Sequence, residues 1–393
     1  MTICILGRQP EIGLAELEAL YGSEKVQPLG DQCALVDTTV DFNRLGGSIK
    51  AGELLKTLHD TSKKGVFKSV AKLLPDLINS LPDDGKVKLG LSVYGFDISP
   101  YELGGEALRL KKSIKALGRS VRVVPNETPA LSSAQTYHNR LADELGIELL
   151  IIRDGGQTHI GRVTNVQDID SYRIRDRERP KRDAFVGMLP PKLAQIIINL
   201  AIGQLNIEGS ETQSATILDP FCGTGVILQE ALLMGYDAYG TDLSQKMVDY
   251  STTNLQWLKE KSKLTGKIRL EAADATKTTW SFSPPTVIAC ETYLGQPIGG
   301  QRPTKEKFTE IVHDSNTVVR GFFENIAPQL PNGTQLCVAV PVWFYNGTTH
   351  LPVINDLTAL GFSRRSFSHA TSLMYHREDQ VTGRELLVLQ KTS

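Results

Sequence analysis

The stretch TILDPFCGTGVILQEALLMG, residues 216 to 235, constrains the fold of this chain more than any other. An apolar run ends at Asp219, a short loop carries Gly223 and Gly225, and an apolar helical segment opens at once. A strand that turns into a helix through glycines brings backbone N–H groups close to a ligand, with no Cβ in the way. Such a unit belongs to a doubly wound α/β sheet, where ligands bind outside the carboxyl ends of the strands. The D-x-x-x-G-x-G spacing differs from the G-x-G-x-x-G of nicotinamide enzymes, and it lacks the lysine of a phosphate-binding loop.

The rest of the carboxyl-terminal half agrees with that unit. TILDPF, DAYGTD, IRLEAAD, TVIAC and QLCVAVPV alternate with helical segments, as in a mostly parallel sheet, and SLMYHRED and RELLVLQK flank QVTG as an antiparallel closing hairpin. Asp242 ends the second of these strands and Asp274 follows the third. Taken singly, each feature also fits a structural role, because glycines after strands make tight turns and strand-end aspartates cap helices. Three in order, each after its own strand, point to S-adenosylmethionine: Asp219 for the methionine ammonium, Asp242 for the ribose hydroxyls, Asp274 for the adenine amino group. Phe221, Gly223 and Gly225 complete the expected cofactor-binding set.

The amino-terminal half has a different pattern. ICIL, GRQPEIG and LAELEALYG read as strand, turn and helix, opening a small α+β unit over residues 1–65. Residues 66–170 carry the helical stretches FKSVAKLLPDLINSL, GGEALRLKKSIKALG and AQTYHNRLADELG, with strands VKLGLSVYG and VRVV. They end in IELLIIRDGGQTHIGRVT, which reads as a hairpin turning at Gly155 and Gly156. A charged linker is expected over 171–185, and the sheet domain over 186–393, led in by a helix with Pro191 in its first turn.

Composition limits the partners. With 43 Lys+Arg against 44 Asp+Glu among 393 residues, no overall basicity announces a nucleic acid, so any such site is a local patch. RLKKSIKALGRSVR, residues 109 to 122, is that patch: Arg109, Lys111, Lys112, Lys115, Arg119 and Arg122 occur with no acid among them. A solvated helix face is the alternative. Arg173 to Asp183 holds six basic and three acidic residues and is open to the same two readings. Cys4, Cys33, Cys222, Cys290 and Cys337 lack metal-ligand spacing and read as buried thiols, so no metal is expected. No apolar run approaches the roughly 20 residues of a membrane span, and no secretory leader is apparent, so a cytoplasmic protein without membrane partners is expected. A monomer is the default, with a partner subunit open.

On these residues the chain resembles the THUMP-containing tRNA guanosine-N2 methyltransferases of the position-10 type. ILGRQPEIGLAELEALYG is similar to that family's amino-terminal segment, RDAFVGMLPPKLAQIIINLA to its lead-in, DPFCGTG to its cofactor motif and LMYHREDQVTGRELLVL to its closing hairpin. Residues 66–170 look like a divergent THUMP domain. The resemblance implies a Rossmann-like class I methyltransferase domain behind an RNA-binding region, with tRNA as partner, the basic patch as RNA contact, and a guanine amino group as acceptor.

One departure stands out. The family carries D-P-P-Y after its fourth strand, where a carboxylate and a backbone carbonyl hold a poorly nucleophilic amine and a ring stacks on the base. This chain has ETYLG, residues 291 to 295. Glu291 keeps the acid, Tyr293 places its ring one residue early, and both prolines are gone. In an extended segment that slip turns a side chain to the opposite face. Glu291 and Tyr293 are therefore the candidate catalytic residues. Methylation of another exocyclic amine, such as adenine N6 in RNA or DNA, or a non-catalytic RNA-binding role, are the alternatives.

Overall fold

The computed structural model describes residues 1–183, 189–203, 215–282, 286–296, 298 and 303–392, so the AFVGM part of the lead-in segment lies outside the described residues. They form two units, one of Met1–Leu14, Ser23–Asn43 and Gly47–Ser171, the other of Ala15–Gly22, Arg44–Gly46 and Tyr172–Ser393.

The first unit is built on one eight-stranded sheet. Its strands are β1 (Thr2–Leu6), β2 (Val26–Leu29), β3 (Cys33–Val36), β4 (Ser48–Leu58), β5 (Val87–Tyr94), β6 (Val121–Val123), β7 (Gly146–Asp154) and β8 (Gln157–Val166), in the order β2-β3-β1-β4-β8-β7-β5-β6. Pairs β5–β6 and β5–β7 are parallel and the others antiparallel. β4 hydrogen-bonds to β8, so the sheet runs without a break across the division expected at residue 65. Within NRLGGSIKAGELLKTL, whose sequence fits a strand or a loop, Ser48–Leu58 is a strand because it lies between two hydrogen-bonding neighbours, β1 and β8.

The helices of this unit are α1 (Pro10–Tyr21, shared with the second unit), α2 (Lys63–Asn79), α3 (Pro100–Ala116) and α4 (Ser133–His138). α2 and α3 pack Val70, Leu74, Leu103, Leu110 and Ile114 into one core with Leu89 and Leu91 of β5 and Leu149 and Ile151 of β7. α3 begins four residues before the GGEALR segment, because Ser99 and Glu102 form a reciprocal cap around Pro100. α4 stops earlier than AQTYHNRLADELG suggests. Arg140 takes φ 55, and Leu141 N–H returns to the Thr136 carbonyl, which closes the helix. Beyond β8 the charged run is helical through Ile169–Arg173 (α5) and then a wide turn over Ile174–Glu178, rather than irregular.

Buried polar groups also organise this unit. Lys50 and Glu148, both fully buried, form an ion pair; Lys50 also donates to the Leu131 carbonyl at 2.7 Å, and Glu148 accepts from Ser92 and Thr136. Each charge thus has a partner, which a buried ion needs.

The second unit holds α6 (Pro191–Ile202), β9 (Thr216–Asp219), α7 (Val226–Leu233), β10 (Asp237–Asp242), α8 (Gln245–Lys261), β11 (Ile268–Ala272), β12 (Thr286–Glu291), α9 (Lys305–Ile326), β13 (Gln335–Phe344), β14 (Thr348–Thr349), β15 (Phe362–Arg364), β16 (Met374–Tyr375) and β17 (Thr382–Lys391). The sheet order is β11-β10-β9-β12-β13-β17-β15, with β14 beside β13 and β16 beside β17. The first five strands are parallel, and β17 runs antiparallel to β13, β15 and β16. This is the expected α/β sheet, with its strand order reversing between β9 and β12. Helices cover both faces, so central strands such as VIAC and LCVAVPVW are buried on both sides. Among the described residues no helix is long and apolar enough to cross a membrane.

Lys50→Met should cost about 3–5 kcal/mol, because Glu148 would stay buried without its counter-charge, while adding Glu148→Leu should recover most of the loss. Hydrogen exchange of the β4 and β7 amides reads this directly; an unchanged exchange in Lys50→Met would contradict it.

Candidate active site

Parallel pairing brings the carboxyl ends of β9, β10 and β12 to one edge, since Gly240 pairs with Asp219 and Ile288 with Leu218. A cavity of about 1330 Å³ opens there, lined by Asp219, Phe221, Gly223, Asp242, Asp274, Glu291 and Tyr293. The residues read from sequence as cofactor-binding and as catalytic therefore meet in one place; Gly225, φ 84, caps α7 just behind the wall. The cavity exceeds the usual range of a single small-ligand site, about 300–1,000 Å³, and so leaves room for two ligands.

The loop is held by its own acids. Asp242 accepts the N–H of Gly223 on Oδ2 and that of Ser244 on Oδ1, both at 2.9 Å. Gly223 takes φ 50. A Cβ on Gly225 would stand 2.9 Å from Ser251 Oγ, so glycine is required for space as well as for conformation. Asp219, 3% exposed, accepts the Phe221 N–H at 3.1 Å. The Phe221 ring packs edge-on against Phe322, its centroid 5.2 Å away, so it serves the wall and the core together.

Burial pushes the Asp219 carboxyl well above the usual carboxylate range; the Phe221 N–H opposes this, and the charges of Asp242 and Glu291 add to it. Burial also raises Asp242, against the N–H bonds from Ser244 and Gly223. Among the described residues these two cavity-lining acids have no ion-pair partner. Asp274 differs: the Thr276 hydroxyl and N–H, with Lys277, hold it below the usual range. Lys246, on the wall, is engaged with Asp183 at 2.9 Å.

The acceptor end is shaped by ETYLG. Thr292 is buried, and both its N–H and its hydroxyl reach the Ala339 carbonyl, at 2.9 and 3.3 Å. Glu291 and Tyr293 on either side line the cavity, Tyr293 being 40% exposed, and Leu294 lines it also. The shifted tyrosine therefore still faces the cavity. Gly295, φ 86, lies against α9, where a Cβ would come within 2.9 Å of Ile311 and Ser315.

One feature beside the wall and two on it were not read from the sequence. Arg384 of β17 donates from Nε to Glu291 Oε1 at 2.7 Å, an ion pair with side chains 9% and 13% exposed. Leu243, directly after Asp242, is 76% exposed on the wall, an apolar surface that a planar ring would cover. α9 contributes His313, Asn316 and Thr317. Only the exposed leucine after a strand-end aspartate had a local signal.

The basic patch lies on the first unit. α3 buries Leu103, Ala107, Leu110 and Ile114 and exposes Lys112 and Lys115, while Lys111 is half-buried. Arg109 pairs with Glu106 at 2.6 Å, and Arg119 donates to the Pro82 carbonyl at 2.6 Å. Two of the six basic residues of the patch thus already have protein partners. In the charged run, Arg175 pairs with buried Glu230 at 2.8 Å and Arg179 is buried, so part of that run is committed to packing.

Because burial raises Asp219, the folded state holds its proton more tightly than the unfolded chain, and ionising it costs stability as pH rises above the unfolded value of about 4. Asp219→Asn should therefore stabilise the unliganded protein at pH 7 by about 0.5–2 kcal/mol, a gain that fades as pH falls through about 4. Urea unfolding at the two pH values tests this; equal stability of variant and parent at pH 7 would refute it.

Comparison with known proteins adds the following. A family profile described as DNA methylase (N6_N4_Mtase) matches residues 127–253. A tRNA (guanine(10)-N2)-dimethyltransferase of Methanothermobacter thermautotrophicus is 28% identical over 213 residues, 51% of this chain and 50% of that protein. One of the same name from Pyrococcus abyssi is 35% identical over 104 residues, 26% of this chain and 27% of its own. The chain thus spans about half, or less, of the curated relatives it matches. The crystal structure of TrmN from Thermus thermophilus covers 99% of both chains with a TM-score of 0.52 at 18% identity, a likeness of fold.

Proposed function

We propose that this protein is an S-adenosylmethionine-dependent methyltransferase acting on the exocyclic N2 of a guanosine in tRNA. The observation that carries the proposal is the buried Asp219 and half-buried Asp242, neither with an ion-pair partner among the described residues, lining the same cavity as Glu291 and Tyr293. The site suits a ligand that brings hydrogen-bond donors and positive charge. Asp219 would take the ammonium group, Asp242 the ribose hydroxyls and Asp274 the adenine amino group, with Leu243 and Phe221 as apolar walls. The names of the curated relatives support the guanine N2 acceptor. The matched profile favours the second reading, another exocyclic amine such as adenine N6.

The cofactor, when bound, supplies an electrophilic methyl group. The protein's task is to hold a weak nucleophile in line with it, which positioning alone can accelerate greatly. Glu291 Oε1 is occupied by Arg384, and Oε2 has no hydrogen-bond partner among the described residues. Oε2 would accept an N2–H of the acceptor, fix the amine, and take the proton that N2 sheds as its bond to carbon forms. Tyr293 would stack on the base. In the first unit, residues 66–170 would act as a THUMP-like RNA-binding region, with Lys112 and Lys115 of α3 as phosphate contacts. A cytoplasmic, monomeric enzyme is the simplest form of this reading.

Incubation with labelled S-adenosylmethionine and total tRNA should label N2 of guanosine. Glu291→Ala should abolish transfer and leave cofactor affinity nearly unchanged; good cofactor binding with no transfer to any tRNA would sink the proposal. Lys112→Ala and Lys115→Ala should each weaken tRNA binding and reduce its salt slope by about one. An unaltered slope would remove α3 from the RNA surface.

A further inference from the structure

The matched profile names N6 and N4 methylation of DNA and the curated relatives guanine N2 in tRNA, and the Glu291–Arg384 pair distinguishes the corresponding base edges chemically. We infer that this ion pair is a base selector, admitting guanine at the acceptor site and rejecting adenine and cytosine. The inference rests on the proposed reading of the cavity as the site of base methylation.

The geometry comes from strand register. Glu291 ends β12 opposite Ala339 of β13, and Arg384 of β17 lies opposite Pro341, two residues further along the same strand. The arginine thus reaches diagonally across β13 to Glu291, and its Nε–H meets Oε1 at 2.7 Å. Arg384 does not line the cavity, whereas Glu291 does. It is a positioning residue, acting on a base only through the carboxylate it holds.

An ionised carboxylate only accepts hydrogen bonds, and a guanidinium only donates. Paired with Arg384, Glu291 presents the cavity with acceptor capacity alone. Guanine's Watson–Crick edge sets N1–H beside N2–H, two donors that Glu291 can accept together, N2–H on Oε2 and N1–H on the lone pair of Oε1 that Arg384 leaves open. Adenine sets N6–H beside a bare N1, and cytosine sets N4–H beside a bare N3. In either, a lone pair would meet a carboxylate oxygen in a nearly buried site, where an unmatched polar group is expensive. Glutamine at the same place would offer one acceptor and one donor, the complement of adenine or cytosine.

The pairing also bears on the missing prolines. Glu291 has one more rotatable bond than the aspartate of D-P-P-Y, so its carboxylate needs an anchor. Arg384 supplies one from a different strand.

The test uses the full chain saturated with S-adenosylhomocysteine, which fills the cofactor subsite, and measures equilibrium binding of guanosine and adenosine monophosphates. The parent protein should prefer guanosine monophosphate by about tenfold or more. Arg384→Gln should lose that preference, Arg384→Lys should retain part of it, and Glu291→Gln should shift it toward adenosine monophosphate. All variants should bind S-adenosylhomocysteine like the parent; if Arg384→Gln does not, the isosteric Glu291→Gln decides alone. A merely structural arginine would leave the ratio of the two nucleotides unmoved. No guanine preference in the parent, including no measurable guanine binding, or an unchanged ratio in Glu291→Gln, overturns the selector. Methyl transfer is read separately. Selective binding without transfer keeps the selector and removes the proposed activity, whereas transfer to guanosine with unchanged selectivity in Glu291→Gln and Arg384→Gln keeps the activity and removes the selector.

Discussion

The backbone ladder joining β10, β9 and β12 is the interaction on which the site depends. Its parallel register brings Asp219, Asp242 and Glu291 to one edge, although they are separated by tens of residues in the chain. Asp242 then ties the glycine loop to its own strand by accepting the Gly223 N–H. The acids come from rigid strand ends rather than from mobile loops, so their relative positions are set before any ligand arrives. Such placement is what a reaction accelerated by positioning requires.

Holding three carboxylates together has an energetic consequence. Asp219 and Asp242 are driven toward protonation by burial, whereas Glu291 has Arg384 beside it. Among the described residues, electrostatic compensation is therefore uneven along the cavity, absent where a cationic ligand would sit and present where an acceptor base would sit. A cofactor with an ammonium and hydroxyl donors fits the first condition. A base edge made of donors fits the second.

Much of this was legible in the sequence where the signal was local. DPFCGTG revealed its strand, loop and helix because the glycines sit where positive φ and close packing demand them. Asp242 and Asp274 were found as the residues at or just after strand ends. The S-P-Y-E start of α3 is equally local, but the adjacent Gly104 and Gly105, poor helix formers, mask it in the sequence. Arg140 ended α4 without the glycine that usually marks such a stop. Arg384 was out of reach for a different reason: its contact with Glu291 spans 93 residues and depends on how β17 registers against β13, which no periodicity encodes. The direction of Tyr293 also needed the structure, because the Thr292 bonds to Ala339, rather than alternation counted from a family pattern, decide which face it takes.

Mass spectrometry of nucleosides in tRNA from cells with and without the gene tests the central claim most directly. The account predicts that N2-methylated guanosine falls when the gene is removed and returns with the parent sequence. Loss of a methylated adenosine with methylguanosine unchanged, or no change in any methylated nucleoside, would contradict it.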